Sequence, residues 1–214
     1  MIPLRDTIPS RRVPVVNHAL IVANVGVFLY QVSLGSRMEA FILAHGMVPR
    51  ALSVRTLLTS MFLHGSWFHV LANMLYLWIF GDNVEDRLGH ARYATFYLLC
   101  GGAAGVAQAL TDPHSTIPMV GASGAIAGVT GAYLLFYPRA RVVTLVPILF
   151  FVRVVEVPAV FFLLLWFAMQ LAAGLQALGS RESLGGVAFW AHVGGFATGM
   201  VLGPLLARRA RFAV

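Results

Sequence analysis

Ser123 sits among small residues in Gly121-Ala-Ser-Gly-Ala-Ile-Ala-Gly128, and His192 sits in Ala191-His-Val-Gly-Gly195. A serine hydroxyl is a weak nucleophile until a neighbouring base takes its proton, and histidine is the usual base. A further polar group occupies the segment His64-Gly-Ser-Trp-Phe-His69-Val-Leu-Ala-Asn73. His69 and Asn73 are four apart, hence on one helix face, and both can donate to a developing oxyanion. Together these residue types allow acyl transfer through a serine–histidine dyad. Taken singly, each has a plainer reading: a small packing residue, an interfacial anchor, a tie between a helix and a loop. Only their arrival at one level of one fold makes the chemistry.

That arrival depends on the elements that carry them. Of 214 residues, 59% are hydrophobic and 11% charged, too few charges to cover a soluble globule. Charge-free stretches run over 13–36, 56–81, 93–111, 113–138, 157–180 and 183–207. Each can supply the ~20 apolar residues that cross about 30 Å of hydrocarbon, and lipid forces such segments to be helical. The expectation is an all-α membrane protein, a compact bundle of six transmembrane helices in one domain, 1–214. Spans are placed near 15–34, 67–81, 92–110, 121–137, 157–177 and 189–207. Spans two, four and six run in the same direction, so the ends bearing His69, Ser123 and His192 share one face. Glycines at Gly124, Gly128 and Gly131 in span four and at Gly195, Gly199 and Gly203 in span six permit close backbone approach, making these helices neighbours.

Span four is short, about 17 residues rising roughly 25 Å, which recesses Ser123 below the membrane surface. The unpaired amides and dipole of its first turn favour negative charge there. Gly121 and Ala122 therefore join His69 and Asn73 as candidate oxyanion and substrate-binding residues. No third triad member is evident. Asp112 and Glu182 fall in outer loops, and the second ring nitrogen of His192 is expected to be steadied by packing rather than by a carboxylate.

All 15 basic residues are arginine. Most lie on one side: Arg5, Arg11 and Arg12, Arg87 and Arg92, Arg139, Arg141 and Arg153, Arg208, Arg209 and Arg211. Arg37, Arg50, Arg55 and Arg181 lie on the other. The positive-inside rule puts both termini, short tails about 1–13 and 208–214, in the cytoplasm and opens the site outward. Arginines that flank hydrophobic spans are not a contiguous phosphate-binding patch, so nucleic acid is not an expected partner. The uncharged run 142–152, with Pro147, reads as a loop near the interface. The stretch 35–66 reads as a structured element resting on the membrane. The first hydrophobic segment lacks a cleavage site and reads as a span rather than a secretory signal. Cys100 is alone, so no disulfide framework is expected.

At the quoted residues the chain resembles the rhomboid intramembrane proteases. The likeness is carried by His64 through Asn73, by Gly81 with Val84-Glu-Asp-Arg87-Leu-Gly89, by Gly121-Ala-Ser-Gly124 and by Ala191-His-Val-Gly-Gly195, and it covers about 59–203. It implies Ser123 as nucleophile, His192 as base, and His69 and Asn73 in the oxyanion hole. It also implies single-span membrane proteins as substrates, a first loop partly in the membrane, a fifth span that gates lateral entry, and Glu85 with Arg87 as a structural pair outside the chemistry. One departure is the first loop, where Ser53-Val-Arg55 stands in place of a tryptophan–arginine pair. A compact chain of this kind suggests a bacterial plasma membrane. Neither a cofactor nor a metal is expected, since HExxH is absent; a two-aspartate mechanism lacks its pair and a Ser-Lys dyad lacks any lysine. Ser123 is not in a nucleophile elbow, which needs Gly at position 125. Two other classes compete with a protease. A pseudoenzyme escort would lack the serine or histidine. A channel or transporter would show repeats or broken paired helices.

Overall fold

The computed structural model describes residues 1–148, 151–179 and 187–208, so Arg181, Glu182, Arg209 and Arg211 lie outside the described residues. The helices are α1 (Val15–Ser33), α2 (Met38–His45), α3 (Val54–Ser60), α4 (Trp67–Leu88), α5 (His90–Thr111), α6 (Ser123–Phe136), α7 (Ala159–Gly179) and α8 (Phe189–Leu206). Three strands, β1 (Ile2–Asp6), β2 (Arg141–Ile148) and β3 (Phe151–Pro158), form a small sheet in the order β1-β2-β3.

Every residue of α6 from Gly124 to Leu134 is buried. Its small side chains permit this, because neighbouring backbones come into direct contact. A Cβ on Gly199 would overlap the carbonyl oxygen of Gly128, and one on Gly195 that of Gly124. On the far side, a Cβ on Gly128 would stand 2.5 Å from the Cβ of Cys100 in α5. The expected adjacency of the serine and histidine helices is therefore a backbone-on-backbone contact with no room for a side chain.

Among the described residues, four helices are long and apolar enough to cross a membrane: Val15–Ser33, His90–Thr111, Ala159–Leu178 and Phe189–Leu206. The other two expected spans exist as helices but fall outside that description. α6 has only 14 residues. α4 does not stop near 81 but runs on to Leu88, carrying Asp82, Glu85, Asp86 and Arg87. Its charged end continues because its groups have partners. Buried Glu85 accepts from the amides of Val16 (3.0 Å) and Asn17 (2.7 Å) at the start of α1, and also meets His90. The Arg87 guanidinium lies over the Phe136 ring, 5.2 Å from its centre, and the Arg87 carbonyl accepts from the Arg208 amide at 3.0 Å. Glu85 and Arg87 are thus both structural but are not the expected pair, since each is held by its own partners.

The sheet departs from two expectations. Of the run 142–152, the described residues are strand rather than loop, and the first residues are not merely a tail. β2 pairs antiparallel with β3 over Arg141↔Pro158 to Ile148↔Phe151, and with β1 over Val142↔Asp6 to Leu145↔Ile2. The valine-rich run, with Thr144 among it, suits a pleated strand. Pro147 stands past the last residue paired with β1, where β2 is an edge that tolerates a missing N–H. Asp6 ties the sheet to the bundle: it accepts from the Tyr133 hydroxyl (2.5 Å) and from the Asn83 amide (3.1 Å). Burial pushes its carboxyl above the ordinary carboxylate range. The sheet lies at the C-terminal end of α6, opposite Ser123.

Candidate active site

The loop between α1 and α4 fixes the approach to Ser123. It is structured, with α2, α3 and two 3-10 turns, Gly35–Arg37 and Pro49–Ala51. Met47 and Met119 exchange both backbone hydrogen bonds (2.9 and 2.7 Å), and the Gly121 amide donates to the Ser60 carbonyl at 2.9 Å. Gly121 has φ +128°, a conformation that favours glycine. A Cβ there would also come 2.7 Å from Nε2 of His69. Its own amide is committed to Ser60, so Gly121 serves the site by leaving space. The carbonyl of buried Ala122 accepts from Ile126 N–H at 3.0 Å, the first closed bond of α6. The amides before it, Ser123 to Ala125, therefore have no helical acceptor.

His192 Nε2 and Ser123 Oγ are 2.8 Å apart. Both residues are half-buried, and they come from helices in backbone contact. The amide of Ala191 donates to Gln108 Oε1 at 3.3 Å, bracing the start of α8 against α5. His69 and Asn73 project from the first turns of α4, whose N-cap Ser66 accepts from the His69 amide at 3.1 Å. Gly65 N–H reaches Nδ1 of His69 at 3.5 Å, which leaves the ring proton on Nε2, beside Gly121. Asn73 is buried, its Nδ2 donating to Nε2 of His64 at 3.0 Å. His64 is itself clamped by Gln31 of α1, which bonds both its carbonyl (3.2 Å) and its amide (3.0 Å). Burial first, and the neighbouring His69 second, lower the His64 pKa from 6.5 to about 4.

A cavity of about 610 Å³ is lined in common by His69, Asn73, Gly121, Ser123 and His192, with Tyr76 and Trp166 also in its wall. Of the residues singled out for acyl transfer, all but Ala122 thus border one space. Ala122 lies behind it, buried against the bundle. The groups around His192 were not foreseen. Neither a carboxylate nor packing alone holds Nδ1, because Gln170 Oε1 accepts from it at 2.7 Å. The Trp166 ring lies against the imidazole, centres 5.8 Å apart. Asp112 merely ends α5. A signal existed, since a glutamine inside an apolar span is the kind of polar residue that marks a site. Among the described residues no group of three or more His, Cys, Asp or Glu side chains is placed to hold a metal.

Glycine-tight helices, a serine–histidine contact within their ends and a polar loop above it define a helical membrane protein with a serine–histidine pair bordering an inner cavity. A family model described as the rhomboid domain matches residues 51–209. The chain belongs to the rhomboid family. It is 30% identical over 194 residues to Rhomboid protein 1, mitochondrial, of Saccharomyces cerevisiae, covering 87% of this chain and 51% of that one. It is 34% identical over 163 residues to RHOMBOID-like protein 4 of Arabidopsis thaliana, covering 73% and 35%. It is 34% identical over 111 residues to Rhomboid protease GluP of Bacillus subtilis, covering 50% and 21%. The chain spans about half or less of the length of these relatives. It is a multi-pass membrane protein.

Proposed function

We propose that the chain is an intramembrane serine endopeptidase that cleaves single-span membrane proteins near the outer ends of their spans. The observation that carries this is the 2.8 Å contact of His192 Nε2 with Ser123 Oγ inside a cavity bordered by spare donors. In this reading Ser123 Oγ attacks the scissile carbonyl carbon while His192 Nε2 takes its proton. The carbonyl oxygen becomes an oxyanion, held by the free amides of the first turn of α6, by Nε2–H of His69 and by Asn73. His192 then returns the proton to the leaving amine, and a water attacking the acyl-enzyme repeats the cycle. Each step conserves protons, and no metal or cofactor is called for.

α1, α4, α5, α6, α7 and α8 are read as six spans. The charged end of α4 then lies at the arginine-rich face, and the short α6 is enclosed by the others. The sheet and both termini face the cytoplasm of a bacterial plasma membrane, with the site open to the outer side. The first loop, α2 and α3 included, lies partly in the outer leaflet, and α7 flanks the entry route. Ser123 sits among the glycines and alanines of two tightly packed helices, so the residue before the cut is read as small.

The test is incubation of purified protein with a model transmembrane substrate, wild type beside Ser123→Ala. A fluorophosphonate probe runs in parallel, expected to label Ser123 in wild type and not in His192→Ala. Cleavage by Ser123→Ala at the wild-type rate would remove the mechanism.

A further inference from the structure

His192 is gripped from α7 on two sides. Gln170 meets its Nδ1 and Trp166 its ring face, and the two lie four apart on one face of that helix. A neutral imidazole has a single N–H, and its other nitrogen is the acceptor. An amide oxygen at Nδ1 requires the proton there, which leaves the Nε2 lone pair facing Ser123. With the proton on Nε2 instead, the ring would donate to the serine and could not deprotonate it. We propose, resting on the protease reading above, that Gln170 is the positioning residue of the dyad. It holds His192 in the Nδ1–H tautomer, and because it rides on α7, the base is competent only while α7 is seated against α8.

The chemistry sets the size of the effect. A glutamine orients the ring but brings no counter-charge to the imidazolium that forms during attack. Its loss should therefore cost less than the ~10⁴ seen when a triad carboxylate is replaced. Partners that orient a histidine ligand from behind are typically worth about 10- to 100-fold.

The experiment compares wild type, Gln170→Leu and Gln170→Glu in substrate cleavage, in fluorophosphonate labelling of Ser123, and in ¹⁵N spectra of histidine-labelled protein. Gln170→Leu should lower kcat about 10- to 100-fold with KM unchanged, slow labelling by the same factor, and mix the two tautomers of His192. Glutamate can only accept, so Gln170→Glu should keep kcat near wild type. It should also move the acid limb of the kcat/KM profile to higher pH, since a carboxylate beside an imidazole raises its pKa. If Gln170→Leu does not fold, the glutamate variant and the wild-type spectrum still decide. Wild-type rates in Gln170→Leu, or equal losses in both variants with an unshifted acid limb, would overturn the assignment. So would wild-type spectra with the proton on Nε2. A wild type that neither cleaves nor labels sinks the protease reading instead, and the ¹⁵N spectra still report the tautomer.

Discussion

At the site, identical side chains are given opposite tasks by what touches their other nitrogen. His69 receives an amide at Nδ1 and so presents a donor, whereas His192 gives its Nδ1 proton to a glutamine and so presents an acceptor. Ser123→Ala and His192→Ala should each abolish cleavage, and the double variant should be no worse, because nucleophile and base act as a unit. Turnover of both singles and the double in one assay checks this. His69→Ala and Asn73→Ala should each lose about 10²- to 10³-fold in kcat, with residual activity from the α6 amides. Wild-type rates in both would make them structural. His64 supplies a pH dependence of stability. Folded, it resists protonation until about pH 4, while the unfolded chain takes the proton near 6.5. Its contribution is complete above pH 6.5 and is lost as pH falls through that window. The melting temperature in detergent should drop between pH 6.5 and 4, and His64→Gln should flatten the drop. That Ser123, His192, His69 and Asn73 come together was legible in the sequence, because each sits in a short motif at the same end of a helix. Gln170 was not, because nothing in linear order places it near His192; only the seating of α7 on α8 does.

Among the elements, the glycine seam between α6 and α8 is the least forgiving. Gly199→Val must push against the Gly128 carbonyl, backbone that cannot swing aside. Overpacking of this kind costs about 1–3 kcal/mol or more, and it also spreads the helices that hold Ser123 and His192 together. Melting temperature and fluorophosphonate labelling should fall together. Gly26→Ala is the control: a Cβ there meets nothing within 4 Å, and replacing a mid-helix glycine should gain roughly 0.5–1 kcal/mol. The seam could be read from glycine spacing alone, and helix starts and ends matched to within a few residues for most spans. Two features could not. α4 outran its apolar stretch because Glu85 and Arg87 find partners supplied by distant parts of the chain. The 142–152 run was judged by its lack of charge, which a buried loop and a strand share. Of its two pairing partners, β1 lies about 135 residues away, beyond any local signal, while β3 follows it directly as the second strand of a hairpin.

On the scale of the molecule, the ends of α6 separate two regions, the candidate site at Ser123 and the sheet locked by Asp6 and Tyr133. In a Cys100→Ala background, a cysteine replacing exposed His114 should react with an impermeant thiol reagent added outside intact cells. One replacing exposed Arg139 should react only after lysis. The reverse pattern would invert the orientation and turn the site inward. The sheet has a further consequence for the order of assembly on the ribosome. β1 is made first, yet its partner β2 emerges only after about 135 more residues, and at about 5–20 residues per second the wait is on the order of ten seconds. On the six-span reading proposed above, α1, α4, α5 and α6 are threaded into the bilayer throughout that interval while the first strand stays unpaired. Closure of β1 onto β2 is thus a late latch on a nascent chain, and it can engage only if an even number of crossings has been completed between them.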